Sequence, residues 1–369
     1  MTDVNNYTVY LFEKSLDRSR VLVQVWYMES KYIRRPGFRG RYLVNGRRGF
    51  YHVMSRTSCG QYLLDDEAKS VFLKILRKQA GFCGVEVLAY CVMGNHFHLL
   101  VAVPEPCGVP DQELMRRYRL LYDPKRLPPS APAPDVLEKL LAEDGEEGRT
   151  LREKLLARMH DLSVFMRELK QRFGIWYNRR HNNAGTIWAK RFTSVIVEPD
   201  RKALKTVAAY IDLNPVRAEL VADPAEYRYS SFGRAMAGDK GARKGYGAVF
   251  CQYQPWKRLL PDYNLILYGK GYNSKGEAIK DRGRIDPERV RKVVERGGRV
   301  PLHELLRLRV RYFTAGAAIG SADFLNEIGE QWRDLHGIER KRNDHPMRGG
   351  QWEGLRSFRN LQVKPVGPG

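Results

Sequence analysis

The sequence predicts an α+β fold: a sheet with helices packed against it. Between residues 50 and 213, β-prone apolar runs alternate with runs whose apolar residues recur at helical spacing. One of these runs, Ala89-Tyr90-Cys91-Val92-Met93-Gly94-Asn95-His96-Phe97-His98-Leu99-Leu100-Val101-Ala102-Val103, is apolar enough to read as buried, inner strand. With 43% hydrophobic residues among 369, the chain can build a proper core.

The elements follow in order. Residues 50–57 read as a strand. Residues 64–80 read as a helix, with Leu64, Ala68, Val71, Phe72 and Ile75 on one face. Residues 85–103 are two strands joined near Gly94. Residues 151–180 form one long helical stretch, its stripe made by Leu155, Met159, Leu162, Phe165, Met166 and Leu169. A short strand follows at 192–197. The helix 201–213 must stop before Pro215, because the ring excludes the preceding residue from helical geometry. This order, with an inner strand at 96–103, suggests an α/β sandwich of ferredoxin-like type.

Two segments stand apart from the core formed by 46–104 and 156–240. Residues 105–155 hold 11 acidic against 9 basic groups and the run Pro128-Pro129-Ser130-Ala131-Pro132-Ala133-Pro134. They read as an acidic, proline-rich insertion with short helices near 111–120 and 135–142. Residues 241–369 hold 25 basic against 14 acidic groups. They read as a separate basic module with helices at 286–296, 302–310 and 321–332. It is either a helix-turn-helix or a helical cap on the core. The tail from Lys341 reads as poorly ordered by itself, and residues 1–45 as an N-terminal extension.

The formal net charge of +22 and a pI near 9.8 favour a polyanionic partner. No apolar run approaches the ~18 residues that span a bilayer, and the N-terminus lacks a signal-peptide pattern. No membrane partner is expected. Cys59, Cys83, Cys91, Cys107 and Cys251 form no C-x-x-C pair and read as reduced, mostly buried thiols of a cytoplasmic protein. There is no Walker loop and no G-x-G-x-x-G, so no nucleotide cofactor is indicated.

The candidate chemistry starts at His96 and His98. Residues at i and i+2 of a strand share a face, so both imidazoles enter one environment, as a shared divalent metal requires. Asn95 stands next to them and could orient a ligand. On the helix 201–213, Tyr210 and Asn214 are four apart and share a face, a phenol beside an amide. An amide oxygen is a suitable hard donor for Mg²⁺ or Mn²⁺. Each residue has a plainer reading: Tyr210 as core, Asn214 as a helix cap, Arg56 and Arg217 as surface ion pairs. Trp188 with Lys190 and Arg191 either stacks a base and neutralises phosphate or closes the core. Tyr177 is a rival nucleophile.

Four stretches, in this order, resemble the single-tyrosine HUH (histidine–hydrophobe–histidine) transposases of the REP-associated tyrosine transposase group. They are Tyr51-His52-Val53-Met54-Ser55-Arg56; Met93-Gly94-Asn95-His96-Phe97-His98-Leu99-Leu100; Thr186-Ile187-Trp188-Ala189-Lys190-Arg191-Phe192; and Tyr210-Ile211-Asp212-Leu213-Asn214-Pro215-Val216-Arg217-Ala218. The resemblance covers about 50–104 and 156–233. It implies that His96 and His98 are metal ligands, that Asn214 is the third, and that Tyr210 is the nucleophile forming a 5′-phosphotyrosine. It implies a bacterial, nucleoid-associated protein acting on single-stranded, hairpin-forming DNA, as a monomer or a homodimer. Arg56, Asn95, Trp188, Lys190, Arg191 and Arg217 are the expected DNA contacts. The group usually has proline where this chain has Gly94, and often histidine where it has Asp212, which leaves a helper role at that position open. The segment 105–155 is also longer than the family's link. A hairpin-binding protein without catalysis, and a replication or conjugation initiator, are the competing readings. The intact His-Phe-His and Tyr210 weigh against the first. The missing P-loop and the transposase-type motif order weigh against the second.

Overall fold

The computed structural model describes residues 47–143, 145–252, 254–269, 292–293, 296, 299–315, 317–336, 344–358 and 363–364. The expected N-terminal extension and the expected helix at 286–296 lie outside or almost wholly outside these residues.

Strand β1 (Gly49–Arg56) leads into α1 (Asp66–Cys83), then the antiparallel pair β2 (Glu86–Val92) and β3 (His96–Val103). Asp65 caps α1 by accepting from the Ala68 N–H at 2.7 Å, and Gly84 ends it in the left-handed conformation that glycine adopts without strain. The segment after β3 holds α2 (Asp111–Leu121), α3 (Pro134–Ala142) and α4 (Glu146–Leu156), close to the expected short helices. These helices bury Leu114, Met115, Tyr118, Leu137 and Leu155 in the same apolar cluster as the rest of the molecule.

The single helix expected over 151–180 is two. Helix α4 ends at Leu156, His160 turns the chain with a positive φ of 53°, and α5 (Leu162–His181) starts afresh. Asp161 caps α5 by accepting from the Val164 N–H at 2.7 Å. The apolar stripe continues across the break because Leu155, Met159 and Leu162 are all buried. Periodicity alone therefore did not reveal it; the capping aspartate did carry the signal.

Strand β4 (Thr193–Val197) precedes α6 (Arg201–Asp212) and the short α7 (Asn214–Arg217). The first four strands lie in the order β2-β3-β1-β4, all neighbours antiparallel. With α1 and α5 as crossovers, this is the split βαβ arrangement of a ferredoxin-like sandwich. Phe97 points to the side of α1 and α5, its ring 4.7 Å from Phe72 and 5.6 Å from Trp188. By strand alternation, His96 and His98 point to the opposite side, where α6 packs.

Helices α8 (Ser231–Met236) and α9 (Lys240–Val249) pack on the sheet at β2, and α10 (Trp256–Tyr268) packs on α6 and α9. Ser231 Oγ accepts from the Tyr90 N–H at 2.9 Å and Tyr229 O from the Val92 N–H at 3.0 Å, which closes the free edge of β2. Helix α9 lies so near β2 that a Cβ on Gly245 would stand 2.4 Å from Leu88 O.

Among the described residues, the C-terminal third joins the core sheet. The helix expected over 302–310 stops early: α11 (Leu302–Leu306) gives way to β5 (Arg309–Val310). Leu308-Arg309-Val310-Arg311 alternates apolar and basic residues, the period of a strand. After α12 (Tyr312–Ala315), β6 (Ala318–Gly320) pairs in parallel with β4. Helix α13 (Ala322–His336) follows, with Ser321 Oγ accepting from the Phe324 N–H at 3.3 Å. The segment expected to be poorly ordered supplies β7 (His345–Pro346) and β8 (Arg356–Ser357), with Trp352 and Phe358 buried. The sheet thus runs β2-β3-β1-β4-β6-β8-β7, and β9 (Val363–Lys364) pairs with β5. Among the described residues, the second helix of the expected pair gives way to a strand at Arg309, and β6 and β8 extend the core sheet; the first helix lies almost wholly outside them.

The five cysteines are all free, but only Cys83 and Cys91 are buried; Cys59, Cys107 and Cys251 are exposed. Burial pushes the Cys83 thiol up to about 12. Among the described residues, no helix is long and apolar enough to cross a membrane.

Candidate active site

The register of β1 against β3 sets Met54 opposite His98 and Arg56 opposite His96. His52 stands diagonally from His98 on the same face, and the two imidazoles meet. His52 Nε2 lies 2.9 Å from His98 Nδ1, with ring centroids 5.0 Å apart. His96 lies on the other side of His98, ring centroids 5.2 Å apart. Helix α6 brings Tyr210 over this row, 6.0 Å from His52 and 6.2 Å from His98. His52 had been assigned no role from the sequence. Its signal was its inward position on β1 inside a recognised stretch.

Second contacts set the histidine tautomers. Asn95 Nδ2 donates to Gly60 O at 3.1 Å, which fixes the end of the amide facing His96. Asn95 Oδ1 can only accept, so His96 Nδ1, at 2.6 Å, carries the proton and Nε2 holds the lone pair. A proton on His98 Nδ1, donated to His52 Nε2, gives His98 the same tautomer. Burial holds the His98 imidazole well below its ordinary pKa, and the charges of His52, His96, Arg217 and Arg56 add to this. Burial likewise lowers His52 to about 3, opposed by the Phe313 backbone. Both rings are neutral near pH 7, the form that binds metal.

These features fit a metal. Engaged Nδ1 atoms leave Nε2 as the ligating atom, and such outer contacts are what metal-binding histidines use. Among the described residues, no three His, Cys, Asp or Glu side chains converge as ligands. A third protein ligand would therefore be of another type. Asn214 is buried, and its Nδ2 has no hydrogen-bond partner. Among the described residues that orphan is an N–H donor, which cannot ligate a cation; of this side chain only the amide oxygen could.

Tyr210 is only 2% exposed. Phe313 of α12 stacks on its ring at 4.3 Å and 20°, and the Arg217 guanidinium sits 3.9 Å from its centroid. Arg217 is buried and donates to Tyr210 O at 2.8 Å and Leu306 O at 2.7 Å. The expected DNA contact at Arg217 is thus corrected: its charge points into the protein. Trp188 is corrected too. It is buried against Phe72, Phe97 and Phe173, and its Nε1 donates to Lys170 O at 3.0 Å. It closes the core because the 3-10 turn after β1 and the loop before β4 meet there, through a Thr57–Trp188 bridge. Arg56, Lys190 and Arg191 are exposed, while Asn95 is buried against His96. The rival Tyr177 is buried on α5 and stacks with His181 at 4.1 Å.

Asp212, on the same helix as Tyr210, faces away from the histidines. It is fully buried and accepts from Tyr246 Oη at 2.6 Å, from Tyr263 Oη and from Ser231 Oγ at 3.3 Å. Burial pushes its carboxyl up to about 7, against the pull of these donors.

Three imidazoles and a phenol thus lie together on one face of a ferredoxin-like sheet. Residues 47–119 match the family described as transposase IS200-like. The match spans about a fifth of the chain, from β1 into α2, and includes His52, His96 and His98. No curated protein matches. Among solved structures, the chain is similar to a REP-associated tyrosine transposase bound to a REP hairpin. That similarity is 17% identity with a TM-score of 0.34, over 54% of this chain and 84% of the other.

Proposed function

We propose that this transposase-family chain is a metal-dependent endonuclease and strand transferase acting on single-stranded DNA at hairpin-forming repeats. The observation that carries this reading is Tyr210 held 6.2 Å from His98, ring to ring, within one chain. This reading draws all its residues from one chain and would not require a second copy.

His96, His98 and Asn214 would hold Mg²⁺ or Mn²⁺. The ion would supply Lewis-acid polarisation of a non-bridging phosphate oxygen. Asn95 and His52 engage Nδ1 of the two imidazoles and aim Nε2. Tyr210 Oη attacks phosphorus in line, the bond from phosphorus to the 3′-oxygen breaks, and the phenolic proton is lost to solvent. The leaving oxygen takes up a proton as a 3′-hydroxyl, and a 5′-phosphotyrosine remains. Attack by another strand's 3′-hydroxyl reverses the step and joins DNA. Exposed Arg56, Lys190 and Arg191 are suited to the phosphate backbone.

The near-complete burial of Tyr210 favours a second reading, a hairpin-binding protein without cleavage. One experiment separates them. A labelled, hairpin-containing single strand from the native locus is incubated with Mn²⁺ and wild-type or Tyr210→Phe protein. A covalent adduct with wild type alone supports the enzyme. Tight binding without adduct in Mg²⁺ and Mn²⁺ supports the binder.

A further inference from the structure

Tyr210 is held on both faces. Phe313 stacks at 4.3 Å and Arg217 lies at 3.9 Å. Two groups so close to one centroid cannot share a face without overlapping, so the ring lies between them. The two neighbours are themselves fixed. Phe313 is fully buried and its ring is 6.0 Å from that of Trp352. The Arg217 fork spans two carbonyls, Tyr210 O on the nucleophile's own helix and Leu306 O at the end of α11. A planar guanidinium serves this double contact, whereas a lysine ammonium does not. Tyr210 O lies in the last turn of α6, where carbonyls lack the continuing helical ladder.

We propose that Arg217 and Phe313 are positioning residues that clamp the Tyr210 ring and set the direction of its hydroxyl for in-line attack. The C-terminal third, through Phe313 and Leu306, then completes the catalytic site rather than forming an accessory module. This rests on Tyr210 being the nucleophile. A phenol has few internal rotations, so clamping both ring faces removes most of its freedom before the reaction. A displacement of about 1 Å in a reacting group costs on the order of 10²-fold in rate.

The test is single-turnover adduct formation with the full-length protein, Mn²⁺ and a labelled hairpin-bearing strand from the native locus. Wild type, Phe313→Leu, Phe313→Tyr and Arg217→Lys are compared, with strand affinity and thermal midpoint measured for each. The expected result is a loss of roughly 10- to 100-fold in adduct rate for Phe313→Leu and Arg217→Lys. Affinity should stay within about twofold, and Phe313→Tyr should restore most of the rate. A wild-type or faster rate in Phe313→Leu overturns the clamp, the faster one marking Phe313 as a cover over Tyr210. Rate, affinity and midpoint falling together in every variant also overturns it, as a purely structural effect. Wild type without any adduct overturns both the clamp and the assignment of Tyr210, which separates the two failures.

Discussion

Raising the pH should weaken this fold through one carboxyl. Asp212 is fully buried, and burial lifts it from an ordinary value of 3.8 to about 7. A group whose folded pKa is raised binds more protons folded than unfolded throughout that window. The slope of unfolding free energy with pH is then negative there. The contribution is neutral below about pH 4, worsens between about 4 and 7, and is constant above. At ~1.4 kcal/mol per unit, the shift amounts to about 4 kcal/mol, undiscounted because the group is away from solvent. Asp212→Asn removes the titration. Its amide can present the oxygen to Tyr246 and Tyr263 and its NH₂ to Ser231 Oγ, so the network retains partners. Urea unfolding of both proteins should be followed from pH 4 to pH 8. The wild type should lose about 4 kcal/mol more than the variant across that range. Parallel stability curves would refute a raised carboxyl at this position, and a wild type gaining on the variant with pH would reverse its sign.

Other outcomes follow from the same geometry. Asn95→Ala should weaken Mn²⁺ binding by about 10- to 100-fold, measured by calorimetry, because His96 loses the partner that fixes its tautomer. Trp188→Ala should cost about 3–5 kcal/mol in stability by emptying a core site, and unchanged stability would contradict its burial. Lys190→Ala with Arg191→Ala should flatten the salt dependence of strand binding by about two phosphate contacts while leaving the thermal midpoint nearly unchanged. Gly245→Ala should destabilise by about 1–3 kcal/mol although alanine is the better helix former, because its Cβ would press on Leu88 O. A stabilised variant would show that α9 can move off the sheet.

The core was legible because its signals are local. The strand at 96–103 and the helix at 201–212 follow from apolar runs and periodicity, and the order of elements limits the sheet to few arrangements. The capping aspartates at 65 and 161 are equally local signals, the second set inside an apolar stripe that runs on across the break. The short strands of the last third were not legible. Two- and three-residue strands carry almost no pattern, and their pairing with β4 depends on a distant partner.

By itself, the sequence determined where the candidate residues lie: two histidines on one strand face, a tyrosine and an asparagine one helical turn apart, and an excess of positive charge. Strand and helix periods fix such relations within one element. Only the tertiary structure decided what surrounds them. It added His52 as the third imidazole, turned Arg217 and Trp188 inward, aimed Asp212 at two tyrosines, and laid Phe313 on Tyr210. Each of these is a contact between segments far apart in the chain. No local rule sets such a contact; it depends on how the whole core packs.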